Sequence, residues 1–320
     1  MSISLRRFPG LLLLGALIWI PGSFPTTVAG EEAVVEEPAF RYPPAARIVA
    51  LGDLHGDLDA TRRALRLAGA IDAHDHWIGG ELVLVQTGDQ LDRGDAEQAI
   101  LDLLQNLVLE AAAAGGAVHL LNGNHEMMNV ALDLRYVTPG GFIDFQDAVT
   151  VLEVDSLLAT YEPHERARVA AFRPGGPYAR VLAQRNTAVM VGDNLFVHGG
   201  ILLAHLEYGL ERLNGEIRRW MLDQGPCPEM IHERDSPAWS RAYSDEVGSD
   251  DCEQLAAVLS TLGAQRIIVG HSVQQTGIDS YCDDRVWCID VGMSHHYGGE
   301  PQVIEIVGET IRILAEEQVR

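Results

Sequence analysis

"LLNGNHEMMN", residues 120–129, stands where a strand ought to end. The run "AVHLL" (117–121) that leads into it has the length and apolar character of a buried strand. It stops at Asn122-Gly123-Asn124-His125-Glu126, a polar cluster with turn character. An amide, an imidazole and a carboxylate are therefore presented side by side at a strand end. One such stretch is compatible with an ordinary polar turn, so its meaning depends on whether other strands end alike.

They do. "VALGDLHGD" (49–57) places Asp53 and His55 just past an apolar run, and "VQTGDQLDRGD" (85–95) does the same with Asp89, Asp92 and Arg93. "FVHGG" (196–200) supplies His198 and "IVGHS" (268–272) supplies His271. The segments between them read as helices. "DLDATRRALRLAG" (57–69) has apolar residues at helical spacing and ends at Gly69, and "EQAILDLLQNLVLEAAAAGG" (97–116) is stopped by two glycines. Strand–helix–strand repetition predicts right-handed crossovers and a largely parallel sheet. In such α/β sheets the carboxyl ends of the strands converge on one crevice. Asp53, His55, Asp89, Asn124, His198 and His271 would meet there as nitrogen and hard-oxygen ligands for two metal ions, with no thiolate among them.

Further along, "TAVMV" and "NLFVH" read as strands around a Gly192-Asp193-Asn194 turn, and a long helix is expected over roughly 202–223. "RIIV" (266–269), "VWCIDVG", "PQVIEI" and "TIRIL" read as later strands. Residues 140–180 look helical and are expected to form an insertion covering one face. Of the remaining histidines, His295-His296 is the pair that the neighbouring "DVG" (290–292) could bring to the crevice.

Composition narrows the chemistry. The 320 residues carry a formal charge of −23, and every one of the 23 basic residues is arginine. A chain without lysine has no Walker-type phosphate loop and no Schiff-base nucleophile. An acidic surface also argues against nucleic acid as a partner. No cysteine is followed six residues later by arginine, which excludes a cysteine-type tyrosine phosphatase, and Ser272 lacks the second glycine of a serine-hydrolase elbow.

The first thirty residues are expected to be a signal peptide. Arg6 and Arg7 precede the apolar core "LLLLGALIWI" (11–20), which is shorter than the ~20 residues needed to span a bilayer. Cleavage after Gly30 would leave a periplasmic or secreted protein with no stable membrane insertion. The alternative is an uncleaved membrane anchor. Residues 31–46, acidic and Pro-rich, read as a linker, with the catalytic domain over 47–320. In an oxidising compartment Cys227, Cys252, Cys282 and Cys288 allow two disulfides. "CDDRVWC" looks like a hairpin with a cysteine on each strand, which favours Cys282–Cys288 and leaves Cys227–Cys252.

Together "GDLHGD", "GDQLDRG", "GNHE", "HGG" and "GHS" resemble the signature set of the phosphoprotein phosphatase branch of calcineurin-like metallophosphoesterases. "LRYVTPGGFIDF" (134–145), "GGPYARVLAQR" (175–185) and "AWSRAY" (238–243) are similar to its Shewanella-like subgroup. "HYGGE" (296–300) resembles the Asn-Tyr-Cys-Gly-Glu stretch of eukaryotic Ser/Thr phosphatases, and the resemblance spans about residues 47–306. Ser272 and Val273 follow His271 where many generic metallophosphoesterases have Gly-His-x-His, which again points to the phosphatase branch. Leu91 stands where Val is common.

The resemblance implies a layered α/β/β/α sandwich with a dinuclear metal site at strand carboxyl ends. It implies a metal-dependent phosphatase that hydrolyses phosphomonoesters, phosphotyrosine or phosphoserine/threonine, through attack by a hydroxide bridging two ions of Mn, Fe or Zn. Asp53 and His55 would hold one ion, Asn124, His198 and His271 the other, and Asp89 would bridge. His125 would be the general acid, oriented by Asp92. Arg93 and Arg241 would hold phosphate oxygens beside Asn124, with Arg234 in reserve for Arg241. The partner would be a phosphorylated protein or a small phosphoester. The alternative on the same site is a periplasmic nucleotide or diadenosine-polyphosphate hydrolase. A non-catalytic metal scaffold is disfavoured because it needs no His125–Asp92 pair.

Overall fold

The computed structural model describes residues 38–149 and 155–316. The expected signal peptide, its cleavage point and the first part of the expected linker lie outside the described residues. No described helix is long and apolar enough to cross a membrane.

Two mixed sheets carry the fold. The first runs β11 (Thr310–Ala315), β10 (Gln302–Val307), β2 (Ile48–Leu51), β3 (Val83–Gln86) and β4 (Ala117–Leu120). The second runs β1 (Arg41–Tyr42), β5 (Ala188–Val191), β6 (Asn194–Val197), β7 (Arg266–Val269), β9 (Val286–Cys288) and β8 (Asp279–Tyr281). Each has a parallel heart of three strands, β2–β3–β4 and β6–β7–β9, flanked by antiparallel neighbours except where β1 joins β5 in parallel. The heart strands β2, β6 and β7 are buried along their whole length, which is why they read as unbroken apolar runs rather than alternating ones.

The sheets pack face to face. Val49, Leu51 and Leu84 from one share a core with Val189, Phe196 and Ile268 from the other. Helices α1 (Leu58–Leu67) and α2 (Glu97–Ala113) add Leu65, Ile100 and Leu104 to that core from outside the first sheet. Against the second sheet lies α9 (Ser249–Leu262), which gives Leu255, Val258 and Leu259 to a separate core with Leu195, Ile267 and Val269. The outcome is the expected α/β/β/α order of layers. A third cluster binds α3 (Asn124–Val130), α5 (Arg166–Phe172), α6 (Pro177–Leu182) and α8 (Leu210–Met221) through Met127, Phe172, Leu182 and Trp220. Within the stretch expected to be helical, α4 (Pro139–Asp144) precedes α5 and α6.

Three expectations need correction. The linker stretch contains β1, because Phe40 is buried and the carbonyls of Phe40 and Tyr42 accept hydrogen bonds from Met190 and Gly192. The helix expected over 202–223 is two, α7 (Leu203–Tyr208) and α8, broken at Gly209 with φ at 96°. The disulfide joins Cys252 to Cys282, while Cys227 and Cys288 are free. The β8–β9 hairpin does form, but its register sets Cys288 opposite Asp279 and Tyr281 opposite Val286. Cys282 therefore lies past the last pair, in the turn, within reach of the first turn of α9.

Candidate active site

The register puts the functional residues at one height. Leu51, Gln86 and Leu120 are level across β2, β3 and β4, as are Val197, Val269 and Cys288 across β6, β7 and β9. The polar residues that follow these six ends emerge together at the seam between the sheets. Asp53, His55, Asp89, Asp92, Asn124, His125, His198 and His271 are all buried there.

Local sequence builds each loop. Asp57, last in the "GDLHGD" motif, caps α1 by accepting from Ala60 N at 2.9 Å, so the loop that carries Asp53 and His55 ends where the helix starts. Asn124 and His125 occupy the first turn of α3. Glu126, third in that helix, accepts from Gly123 N at 2.7 Å and also from the N–H groups of Asp89 and Gln90 at 2.8 Å. One carboxylate thus ties the loop after β3 to the loop after β4. Gly88 and Gly123 permit the contact, since a Cβ on Gly88 would lie 2.5 Å from Gly123 N.

Two groups of potential ligands share Asp89. His55, Asp89 and His125 form one, and Asp89, His198 and His271 the other. Asp53 adjoins both, with His55 Nε2 at 3.8 Å from its Oδ2 and His198 Nδ1 at 3.9 Å from its Oδ1. His55 Nδ1 is 3.0 Å from Leu91 O, and His198 Nδ1 is 3.0 Å from Thr87 O. Donation to those carbonyls fixes both tautomers and turns both Nε2 atoms inward, an arrangement common in metal sites. His198 Nε2 then faces Asn124 Oδ1 at 2.9 Å and Asp89 Oδ2 at 3.1 Å. Three lone-pair atoms this close need a proton or a cation between them. His271 Nε2 is buried without a hydrogen-bond partner.

Charge points the same way. Burial, together with the charges of Asp290 and Asp89, pushes the Asp53 carboxyl well above its usual range. Burial raises Asp290 to about 6 and also raises Glu126. Burial acts to raise Asp89 as well, yet the imidazoles of His198, His125 and His55 hold it well below the ordinary carboxylate value. Four carboxyls crowded at one buried point are short of positive charge, and the donor set fits divalent metal ions. Burial keeps His55 neutral, at about 4, and depresses His271 further, so both offer lone pairs.

His125 differs. Its Nδ1 lies 2.6 Å from Asp92 Oδ2, and its Nε2 is 3.7 Å from Asp89 Oδ2. Burial works against its charged form, but Asp89 and Asp92 overcome this and raise its pKa. Arg93 lies at the rim with its guanidinium against the rings of Tyr136 at 4.5 Å and Tyr297 at 5.3 Å, and Nη1 is 3.1 Å from His296 Nε2. His296 is thus at the crevice, whereas the nearby Asp95 accepts from Thr138. Arg241 reaches the loop of His271, donating to Ser272 Oγ at 2.7 Å and to His271 O at 3.3 Å. Arg234 is exposed on the preceding loop.

Sequence reading missed Asp290, Arg168, Asn129 and the wider role of Glu126. Asp290 was within reach, because "VWCIDVG" repeats the pattern of an apolar run followed by Asp and Gly.

The calcineurin-like phosphoesterase profile matches residues 46–275, and the chain belongs to that family. It is a phosphoester hydrolase with a metal site. Among its relatives, Shewanella-like protein phosphatase 2 of Arabidopsis thaliana is 42% identical, over 83% of this chain and 76% of the relative. Shewanella-like protein phosphatase 1 of Plasmodium berghei is 30% identical, over 78% of this chain and 67% of the relative. The crystal structure of a cold-active protein-tyrosine phosphatase from a psychrophilic Shewanella matches with a TM-score of 0.70 over 87% of this chain and 83% of that one. At 24% identity, that likeness speaks for the fold alone.

Proposed function

We propose that the protein is a phosphomonoesterase acting on phosphorylated proteins or peptides, at phosphotyrosine or phosphoserine/threonine. Asp53 and His55 would hold one divalent ion, Asn124, His198 and His271 a second, with Asp89 common to both. The nitrogen and hard-oxygen donors suit Mn, Fe or Zn. Ions bound there supply Lewis acidity and bring the pKa of water down to about 7. The rest falls to the chain. Arg93 and Arg241 present guanidinium groups that grip phosphate oxygens in pairs, which lysine does less well. Asn124 adds an amide beside the phosphate. The His125 imidazolium donates its Nε2 proton to the departing oxygen, and Asp92 holds Nδ1.

The observation that carries this reading is the His125–Asp92 pair. A protein that only stores metal has no use for a buried imidazole that a second carboxylate holds by Nδ1 and turns toward the ligand cluster. The protein substrate class is supported by the names of the relatives, two protein phosphatases and a tyrosine phosphatase in structure. The alternative of a nucleotide or diadenosine-polyphosphate hydrolase is not favoured by those comparisons.

His125→Ala should lower phosphotyrosine turnover by the ~10²–10⁴ typical of a general acid, with metal content unchanged by elemental analysis. Turnover within about twofold of the parent protein would refute the assignment.

A further inference from the structure

Arg168 carries a full charge where no solvent reaches, its side chain 0% exposed. It stands on α5, in the helical stretch outside both sheets, and none of the signature motifs contains it. A buried guanidinium is tolerable only when its donors are all satisfied. Here every nitrogen is engaged. Nε donates to Asn129 Oδ1 at 2.9 Å. Nη1 donates to Glu97 Oε2 and to Gly141 O, the latter at 3.0 Å. Nη2 donates to Glu97 Oε1 at 3.1 Å and to Asp92 Oδ1 at 3.4 Å. The rings of Phe145 and Phe172 flank the group, each 5.0 Å away.

The contacts converge on Asp92. Its Oδ1 receives Arg168 and, at 3.0 Å, Asn129 Nδ2, which leaves Oδ2 for His125. Asn129 Nδ2 also donates to His125 O at 2.9 Å, and Glu97 accepts from the Asp92 backbone N–H. Asp92 is therefore gripped by side chain and backbone on the side away from the imidazole. It needs the grip, because its φ of 66° is a conformation L residues adopt reluctantly.

We propose that Arg168 is a positioning residue for proton transfer: it fixes the Asp92 carboxylate so that Oδ2 keeps His125 turned with Nε2 toward the departing oxygen. This rests on the reading of His125 as proton donor. Arginine suits the task, since its planar fork reaches Glu97 through two nitrogens while one of them also meets Asp92. The helical stretch around residues 139–182 thereby belongs to the catalytic apparatus, although none of its described residues is among the candidate metal ligands.

The test exploits leaving groups in the metal-loaded enzyme. The alkoxide of phosphoserine must be protonated as it departs, whereas the phenolate of 2,4-dinitrophenyl phosphate departs without a proton. Arg168→Met should lower kcat on phosphoserine by about tenfold or more, a share of the ~10²–10⁴ assigned to the acid itself. On the dinitrophenyl ester kcat should stay within about twofold, with KM and metal content unchanged on both substrates. The double variant Arg168→Met/Glu97→Gln removes one cation and one carboxylate together, and carries the test if the single variant does not fold. Equal losses on both substrates, or no loss on either, would overturn the proposal. His125→Ala in the same assay separates the two ideas. If His125→Ala discriminates between the substrates and the Arg168 variants do not, only the role of Arg168 falls. If His125→Ala does not discriminate, the proton-donor reading itself has failed.

Discussion

At the scale of single residues, His55, Asp89, Asp92, Arg93 and His271 share a feature that no motif displays: φ angles between 46° and 66°. Each costs about 1–2 kcal/mol for an L residue. The first three strand-end loops hold the strain by bonding one another, with Leu54 N and His55 N both donating to Asp89 O at 2.9 and 3.0 Å. Residue identities were legible in the sequence because five apolar runs of one chain end alike in Asp, Asn or His, where a single such end would be an ordinary turn. Backbone strain was not, since nothing in "GDLHGD" says that a histidine, not a glycine, takes the left-handed position. Gly270 shows how tight the fit is. A Cβ there would lie 2.5 Å from Asp53 Oδ1 and 2.9 Å from Thr87 Oγ1. Gly270→Ala should therefore fold but displace Asp53, weakening metal affinity by the ~10–100-fold typical of changes just outside the ligand set. Metal titration followed by activity would show it, and unchanged affinity would contradict the placement of Asp53.

At the scale of elements, β2, β6 and β7 were legible because they are buried on both faces, and the helices because their caps and stops are written in Asp57, Gly69 and Gly115. Pairings between distant elements were not. The Cys252–Cys282 link depends on hairpin register and on the approach of α9, neither of which leaves a mark in composition. Arg168 is hidden for the same reason, as an arginine on a short helix is ordinarily a surface residue. The disulfide closes a loop of 30 residues between α9 and the β8–β9 hairpin. Chain-entropy reasoning gives it about 3–4 kcal/mol. The Cys252→Ser/Cys282→Ser double variant should lose about that much in urea denaturation, and unchanged stability would mean that the hairpin is held by its other contacts alone.

At the scale of the whole molecule, excess negative charge outside and inside acts together. Asp53 and Asp290 have raised carboxyls, and burial raises Glu97 to about 7 despite its contacts with Arg168. An acid whose folded pKa is raised binds its proton more tightly folded than unfolded. Its contribution is thus fully present below the unfolded value and lost as pH climbs through the folded one. Asp89, held low, already contributes fully in this range. The buried neutral imidazoles of His55 and His271 act the other way, adding stability as pH rises toward the unfolded histidine value of about 6.5. The chelator-treated protein should accordingly lose thermal stability only above that, between about pH 7 and pH 8, where Glu97 and His125 still give up protons. Surface repulsion at a net charge of −23 adds to the trend. Calorimetry at low and high salt separates the parts, because salt screens the surface term and leaves the buried one. A melting temperature that rises over this interval would contradict the charge assignment.

The even division of the site between the two sheets has a consequence for how the enzyme comes into being. Asp53 to His125 belong to the first half of the chain and His198 to Asp290 to the second, so neither half alone holds the full set of candidate ligands. The first sheet itself needs β10 and β11 from the far end of the chain, so turnover regained during refolding would report the meeting of sequence-distant segments rather than the formation of any local element.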